Sequence, residues 1–188
     1  MSLDAQPDKK YPAREVLLND NETVIRAIVE EKWDAETNRG TPTLFQGANV
    51  SVTRIDALGL APSISLVKAT LEISGRPDRD VAGVGKITVA LLKQVGVAKQ
   101  PVLKPGDPIH LLVWEDKAQA KGERPANPHH AEIVAYADSE HTKGKEKKIT
   151  LGYSRMLARA VHVYAVDRSG AVTGESPPLD WTKAEEVE

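Results

Sequence analysis

The chain has 188 residues, of which 40% are hydrophobic and 28% charged, so it can bury one hydrophobic core as a single globular domain. Its formal net charge of −2 argues against the extensive basic surface that nucleic-acid-binding domains carry. With an aromatic content of 4%, few side chains are present on which single-stranded bases could stack. The absence of cysteine excludes disulfides, thiolate metal sites and cysteine nucleophiles.

The N-terminal segment predicts neither a secretory signal nor a membrane anchor. Residues 1–10 are polar and lack a central apolar stretch. Elsewhere no window approaches the ~18 consecutive apolar residues that a membrane-spanning helix requires. We therefore expect a soluble cytoplasmic protein with no membrane partner.

The first elements predicted along the chain are a tail, a turn and a strand. Residues 1–12 are polar and contain two prolines, which predicts a flexible tail. Residues 14–18 predict a helical turn. Residues 23–29, with the sequence TVIRAIV, are rich in β-branched side chains and predict a strand whose Arg26 faces away from its apolar neighbours.

The next segments alternate between strand and turn patterns. Residues 30–41 predict a short helix that runs into a loop. Residues 49–55 alternate between two faces and predict a second strand. Residues 63–73 fit both a strand and a helix, and we favour a strand. Residues 75–80, with the sequence GRPDRD, predict a turn.

The middle of the chain predicts a strand–helix unit followed by another strand. Residues 81–88 predict a strand that enters a helix over residues 88–95, and Gly96 is expected to end that helix as its C′ glycine. Residues 101–108 contain three prolines and predict an extended connection. Residues 109–114, with the sequence IHLLVW, predict a strand.

The last third predicts two strands around an amphipathic helix. Residues 115–128 predict a long exposed loop, and residues 130–137 are the clearest alternating strand. After a polar turn at residues 138–148, apolar residues at helical spacing over residues 149–160 predict a helix. Residues 161–166 predict the final strand.

Together these patterns predict an α+β fold with a mainly antiparallel sheet of about five to six strands and two or three helices. The single domain is expected to span residues 13–167. Residues 168–188 are acidic and contain Pro and Gly, so they predict a mobile C-terminal tail.

The stretch around residue 130 concentrates imidazole and carboxylate side chains. His130 and Glu132 share one face of the predicted strand, and His129 and His141 lie near its two ends. Such groups can bind a divalent metal or act as general acid and base. Because the ligand set is incomplete, a polar strand face is favoured over a metal site; we predict no metal and keep His130 as the candidate catalytic residue.

A basic segment precedes the predicted C-terminal helix and continues into it. At a helix N-terminus such a segment can contact phosphate groups or a nucleic-acid backbone. Two glutamates dilute its charge, and a solvated turn and helix face is the favoured interpretation. The residues that would make the phosphate or nucleic-acid contacts are Lys143, Lys145, Lys147, Lys148, Arg155 and, one turn further on, Arg159.

The segment from Gly83 to Lys86 resembles a phosphate-binding loop but lacks two residues that this motif requires. Asp80 stands where the motif needs a glycine, and Ile87 follows the lysine in place of Ser or Thr. We therefore predict no nucleotide-binding loop at this position and no cofactor.

Four ordered segments resemble an uncharacterised group of bacterial proteins: LLNDNETVIRAI, NVSVTRI, GVGKITVALLKQVG and NPHHAEIVAYA. In that group a Leu-x-Asp…Arg-x-Ile strand precedes an Arg-x-Ser-Ser-x-x-Phe segment, a Leu-Ser-Val strand and an Asn-Pro-x-His-Ala-x-Ile strand. The resemblance covers most of residues 17–164, with Pro42 and Thr43 in place of the two serines. It implies a bacterial accessory protein and no particular reaction.

The resemblance also indicates which polar residues could bind a ligand. If they converge in space, two cations, an imidazole and two hydroxyl groups would suit an anion such as a phosphate ester or nucleotide. This hypothesis fails if the first and last of them lie on opposite faces of the sheet. The matching positions are Arg26, Arg39, Ser51, Thr88 and His130.

Three classes of function follow from these patterns. The favoured class is a non-catalytic binding or adaptor subunit of a bacterial multi-protein system, such as a defence or toxin–antitoxin system, with another protein as its partner. The second is an enzyme or effector that acts on a phosphate-containing ligand through His130 and Arg26 or Arg39. The third is binding of a nucleic-acid backbone through the basic segment at residues 143–159, which the overall charge disfavours.

Overall fold

The computed structural model describes residues 16–72, 80–98, 108–116, 126–137, 140 and 146–183. The predicted N-terminal tail and the last five residues lie outside the described residues. So do most of the predicted turn at 75–80, the connection at 101–108, the loop at 115–128 and the turn at 138–148.

Ten strands and three α-helices follow one another along the described residues. In chain order they are β1 (Thr23–Val29), β2 (Trp33–Asp34), β3 (Arg39–Gly40), β4 (Val50–Arg54), α1 (Leu60–Glu72), β5 (Val81–Thr88), α2 (Val89–Val97), β6 (His110–Glu115), β7 (His130–Tyr136), β8 (Glu146–Lys147), α3 (Leu151–Ala160), β9 (His162–Val166) and β10 (Val172–Ser176). None of the described helices combines the length and the apolar character needed to cross a membrane.

Eight of the strands form one sheet. Seven of them follow the order β10-β9-β5-β1-β4-β7-β6, and β8 pairs with β7. The strands β2 and β3 form a separate hairpin. Every pairing between these strands is antiparallel. The predicted α+β fold with a mainly antiparallel sheet is therefore confirmed, with more strands than the five or six expected.

Two main hydrophobic clusters lie on opposite faces of the sheet, and a third, of three residues, consists of Leu112, Val134 and Tyr136. On face A, defined by Val24 and Ile28 of β1, α2 and α3 complete the larger cluster. On face B, defined by Ile25 of β1, α1 completes the smaller cluster through Ile64 and Val67. Successive residues of a strand point to opposite faces, so the alternating strands of this sequence can contribute side chains to both clusters.

Strict alternation identified most of the sheet correctly. In β7, for example, Ala131, Ile133 and Ala135 occupy every second position and pack into the face A cluster. The helix predicted at 149–160 is confirmed as α3, whose Tyr153 and Met156 are buried on face A. The confirmed strand predictions are those at residues 23–29, 49–55, 81–88, 109–114, 130–137 and 161–166.

The segment predicted as a strand at residues 63–73 belongs to a helix, α1, so that prediction was wrong. Ile64 and Val67 recur at helical spacing and pack against face B. The hydroxyl groups of Ser63 and Thr70 do not interrupt the helix, because each donates to the carbonyl oxygen four residues earlier, at 2.7 and 3.0 Å.

Two smaller predictions near the N-terminus are also corrected. Residues 16–18 are extended rather than helical, and Leu17 forms a bridge with Trp114 at the edge of β6. After a single 3₁₀ turn at Glu30–Lys32, the predicted loop contains the β2–β3 hairpin. Asn38 lies in this hairpin at φ 51°, the left-handed conformation that Asn tolerates better than most residues.

Gly96 does not end the second helix. Helix α2 continues to Val97, and the carbonyl oxygen of Gly96 accepts a hydrogen bond of 2.9 Å from the N–H of Ile109 at the start of β6. A Cβ at residue 96 would lie 2.6 Å from the Ile109 carbonyl oxygen. The glycine therefore allows the helix and the strand to approach each other closely.

Residues 168–183, predicted to belong to a mobile tail, continue the fold. Strand β10 pairs with β9 at the edge of the sheet. Beyond it, the N–H of Leu179 donates to the carbonyl oxygen of Arg159 at 2.8 Å, and Trp181 packs partly buried against the face A cluster. The sequence did not predict strand β10, because its side chains are mostly exposed and therefore show no apolar alternation.

Candidate anion-binding cleft

A cleft of about 610 Å³ lies between the β2–β3 hairpin, the C-terminal half of α3 and the segment that follows β10. We call it the arginine cleft, because three arginines from two parts of the chain line it. The lining residues are Asp34, Thr37, Arg39, Gly40, Pro42, Arg155, Ala158, Arg159, Ser176, Pro177 and Leu179.

The hairpin wall is held in shape by Asp34. Its carboxylate accepts hydrogen bonds from the N–H groups of Glu36 and Thr37, at 3.0 and 3.3 Å, and from the Thr37 hydroxyl at 2.7 Å. This arrangement is an Asx turn, which closes a short loop without help from the rest of the protein. The turn places Arg39 at the start of β3, next to the end of α3.

Arg39 is buried and satisfies the C-terminal carbonyl groups of α3. Its Nη2 donates to the carbonyl oxygens of Ala158, Arg159 and Val161, at 3.4, 3.1 and 3.0 Å. Its Nη1 donates to the carbonyl oxygen of Pro177 at 2.8 Å. Carbonyl groups at a helix end have no partner within the helix, so Arg39 acts as a side-chain cap. Burial, and secondarily the charge of Arg159, lower the pKa of Arg39.

The other two arginines lie one turn apart on α3. Arg159 donates through Nε to the carbonyl oxygen of Asp180 at 3.1 Å. The Nε of Arg155 is buried, and within the described residues Arg155 has neither a hydrogen-bond nor an ion-pair partner. Because Arg155 is only partly buried and lines the cleft without an ion-pair partner among the described residues, its guanidinium can pair with a negatively charged ligand there.

The electrostatics of the cleft favour negative charge. The C-terminal end of α3 alone would repel an anion, because the helix dipole places partial negative charge there. The guanidinium of Arg39 offsets these carbonyl dipoles, and Arg155 and Arg159 add positive charge. The carboxylate of Asp34 is occupied by its own turn; the hydrogen bond from the Thr37 hydroxyl is the largest of the effects that lower its pKa.

Arg26 lies away from this cleft. Its Nη1 donates to the carbonyl oxygen of Ser51 at 2.7 Å, at the point where the β1–β4 ladder ends after two registered pairs. Burial lowers the pKa of Arg26 to about 10, and its Nε has no hydrogen-bond partner among the described residues. The Ser51 side chain is exposed on face B. Thr88 accepts a hydrogen bond of 3.3 Å from Leu91 N–H and is the N-cap of α2.

His130 lies on the other face of the sheet from Arg26. In the ladder Ile25 pairs with Thr53, and Thr53 pairs with His130, so these three side chains share face B. Arg26 follows Ile25 and therefore points to face A. The five residues selected from the resemblance do not converge, and the hypothesis of one pocket formed by them is wrong.

The surroundings of His130 form a separate polar site. Its Nδ1 lies 2.8 Å from the carbonyl oxygen of Asp116 and 3.2 Å from that residue's carboxylate. The imidazole is nearly buried. Next to it on face B, the Thr53 hydroxyl accepts a hydrogen bond of 3.3 Å from Asn127. These contacts orient the ring and hold the start of β7.

The basic segment is divided by the fold. Lys147 and Lys148 are exposed, and Arg155 turns into the arginine cleft with Arg159. Lys143 and Lys145 lie outside the described residues, as does His141. In the part of the chain that the structure describes, no three His, Asp or Glu side chains cluster as a metal site would require.

Sequence patterns missed two walls of the cleft. The Asp34–Thr37 turn has the composition of an Asx turn, so its sequence contained a usable signal. The wall formed by Ser176, Pro177 and Leu179 was assigned to a tail because its composition is polar and Pro-containing. Arg39 and Arg155 were both selected, but from unrelated patterns, and only the fold brings them together.

The chain matches no protein-family model, no curated protein and no solved structure. The choice of ligand therefore rests on the geometry of the cleft.

Proposed function

We propose that the chain is a non-catalytic binding protein that takes a phosphate-containing ligand in the arginine cleft. The observation that carries this proposal is Arg155, which lines a concave, arginine-rich surface and has no ion-pair or hydrogen-bond partner among the described residues. Phosphate oxygens accept charge-assisted hydrogen bonds from guanidinium groups in a geometry that suits Arg especially well.

Binding is favoured over catalysis by the state of the acidic group in the cleft. Asp34 is the carboxylate among the lining residues, and three hydrogen bonds lower its pKa. A carboxylate held as an anion in this way is a weak general base. The described lining residues therefore offer cations that hold an anion, with no strong proton acceptor among them.

This proposal keeps the binding class predicted from the sequence and changes the ligand residues. A role as an adaptor in a bacterial multi-protein system stays a prediction, as does the protein partner. The enzyme alternative needs His130 to act beside Arg26 or Arg39, and the geometry separates the first two by the sheet. For the nucleic-acid alternative, the described part of the predicted basic segment supplies exposed Lys147 and Lys148 in addition to the two arginines of α3 that line the cleft.

The first prediction tests Arg155. In the unmodified chain inorganic phosphate should bind at low salt and shift the backbone amide resonances of α3 and β10 in an NMR titration. Arg155→Gln should weaken phosphate binding about tenfold or more, because a charge-assisted hydrogen bond contributes about 1.5–3 kcal/mol. Arg168→Gln removes one exposed arginine at the other end of β10 and is the charge-matched control.

Two results would contradict the proposal. One is equal phosphate affinity in the unmodified chain and in Arg155→Gln. The other is the absence of any phosphate-induced shift at low salt. A loss of affinity in Arg168→Gln equal to that in Arg155→Gln would show that net charge alone explains the binding.

A second prediction separates the cleft from the face B site. Because His130 lies on face B and does not line the cleft, His130→Ala should leave the affinity for inorganic phosphate unchanged. The same NMR titration measures it. A loss of phosphate binding in His130→Ala, with the resonances of α3 otherwise unchanged, would favour the enzyme alternative over the binding proposal.

A further inference from the structure

The arginine cleft is larger and less polar than a free phosphate ion requires. Its volume of about 610 Å³ falls within the range of roughly 300–1,000 Å³ typical of sites for small organic ligands. Pro42, Ala158, Pro177 and Leu179 give it apolar walls beside the arginines. Leu179 is 42% exposed, although it lines a concave surface.

One wall is a short strap, residues 177–181, that follows β10. Three hydrogen bonds hold it to the body of the protein: Arg39 to the Pro177 carbonyl oxygen at 2.8 Å, Leu179 N–H to the Arg159 carbonyl oxygen at 2.8 Å, and Arg159 Nε to the Asp180 carbonyl oxygen at 3.1 Å. Two of the three come from cleft arginines. The cationic side of the cleft and its apolar wall are therefore joined directly.

We infer that the ligand is a phosphate monoester whose phosphate group binds at Arg155 and Arg159 and whose organic part packs on Pro177 and Leu179 of the strap. This inference rests on the proposed function and narrows its ligand class. The phosphate pairs with the guanidinium of Arg155, which lines the cleft without an ion-pair partner among the described residues, and the organic part removes the exposed apolar surface of Leu179 from water.

A monoester fits this arrangement better than inorganic phosphate for two reasons. It presents up to two negative charges on one side, where the arginines lie, and one neutral substituent on the other. The ester oxygen links these parts at a short distance, so one molecule can contact both the α3 arginines and the strap. Inorganic phosphate leaves the strap wall uncovered.

The experiment compares inorganic phosphate with two monoesters, phenyl phosphate and adenosine monophosphate, by isothermal titration of the full chain. In the unmodified protein at least one monoester should bind about tenfold more tightly than inorganic phosphate, since burial of apolar surface adds to the ionic contacts. Leu179→Ser should remove that preference, measured within the variant as the ratio of its monoester affinity to its inorganic phosphate affinity. Arg155→Gln should weaken the binding of all three compounds.

Leu58→Ser is the matched control, because Leu58 is 37% exposed and does not line the cleft. It should keep the preference for the monoester. Leu179 and Leu58 are both largely on the surface, so both variants should fold, and their thermal unfolding midpoints check this.

The outcomes distinguish this inference from the proposed function. If inorganic phosphate binds through Arg155 but neither monoester binds more tightly, or if Leu179→Ser keeps the preference, the inference is overturned and the proposed function stands. If none of the three compounds binds to the unmodified chain, both are overturned.

Discussion

Replacing Arg39 by methionine should lower the free energy of unfolding by about 3 kcal/mol, because hydrogen bonds that involve a charged group contribute about 1.5–3 kcal/mol each and are strongly coupled at one side chain. Methionine keeps most of the aliphatic packing but donates to none of the four carbonyl oxygens that Arg39 contacts. Three of these belong to the end of α3 and the residue after it, so that end of the helix should fray.

The expected loss is smaller than the sum of four hydrogen bonds for a physical reason. Burial and the neighbouring Arg159 both disfavour the charge on Arg39, which is why its pKa is lowered. Removal of the guanidinium relieves that penalty and offsets part of the loss. Lysine should not restore stability, because a single ammonium group cannot reach carbonyl oxygens on both α3 and the strap.

Urea unfolding followed by circular dichroism measures this effect. Arg168→Met is the control, since Arg168 is exposed in the turn between β9 and β10 and should change stability by less than about 0.5 kcal/mol. An Arg39→Met variant as stable as the control would show that the α3 carbonyl groups do not depend on Arg39. The structural role of this residue also means that its variants cannot test ligand binding.

The predictable part of this fold is the part with local periodicity. In β7 alternate side chains join the face A cluster, and in β1 Ile25 and Ala27 pack on the face opposite Arg26. Period-two patterns therefore identified both strands and the faces of Arg26 and His130 within them. The pattern of α1 was ambiguous because Ser63 and Thr70 satisfy their hydroxyl groups within the helix, which composition alone does not reveal.

The site was less predictable because its contacts are long-range. Arg39 bonds residues between 119 and 138 positions further along the chain, and no local pattern records such pairs. The basic residues before and within α3 offered an anion contact only as the less favoured interpretation, and two of them, Arg155 and Arg159, line the cleft. The expected position, the N-terminus of the helix, differs from the observed one toward its C-terminal half.

The residues that match the motifs of the resembling group do not lie together in the fold. Arg26, Thr88 and His130 each satisfy a local need: Arg26 bonds a carbonyl oxygen where a ladder ends, Thr88 caps a helix, and His130 bonds Asp116. These three contacts are formed at separate places in the structure. Side chains that complete local structure therefore resemble a ligand set in the sequence while lying far apart in the fold.

The second large effect is expected at Gly96, where two physical arguments give opposite signs. Intrinsic helix propensity alone predicts that Gly96→Ala stabilises α2 by up to about 1 kcal/mol. In the fold, however, the added Cβ would lie 2.6 Å from the Ile109 carbonyl oxygen and 2.9 Å from the Leu111 side chain. Because one of these contacts is backbone, relief requires α2 and β6 to separate, and we expect a net loss of about 2 kcal/mol.

Gly174→Ala is the matched control in the same urea experiment. A Cβ at residue 174 meets no atom within 4 Å, so this variant should be neutral or slightly more stable than the unmodified chain. If Gly96→Ala is instead stabilised to the extent that helix propensity predicts, α2 does not approach β6 as closely as the fold requires. A loss at Gly96 without a loss at Gly174 would mean that close backbone packing, rather than glycine removal in general, sets the stability of this layer.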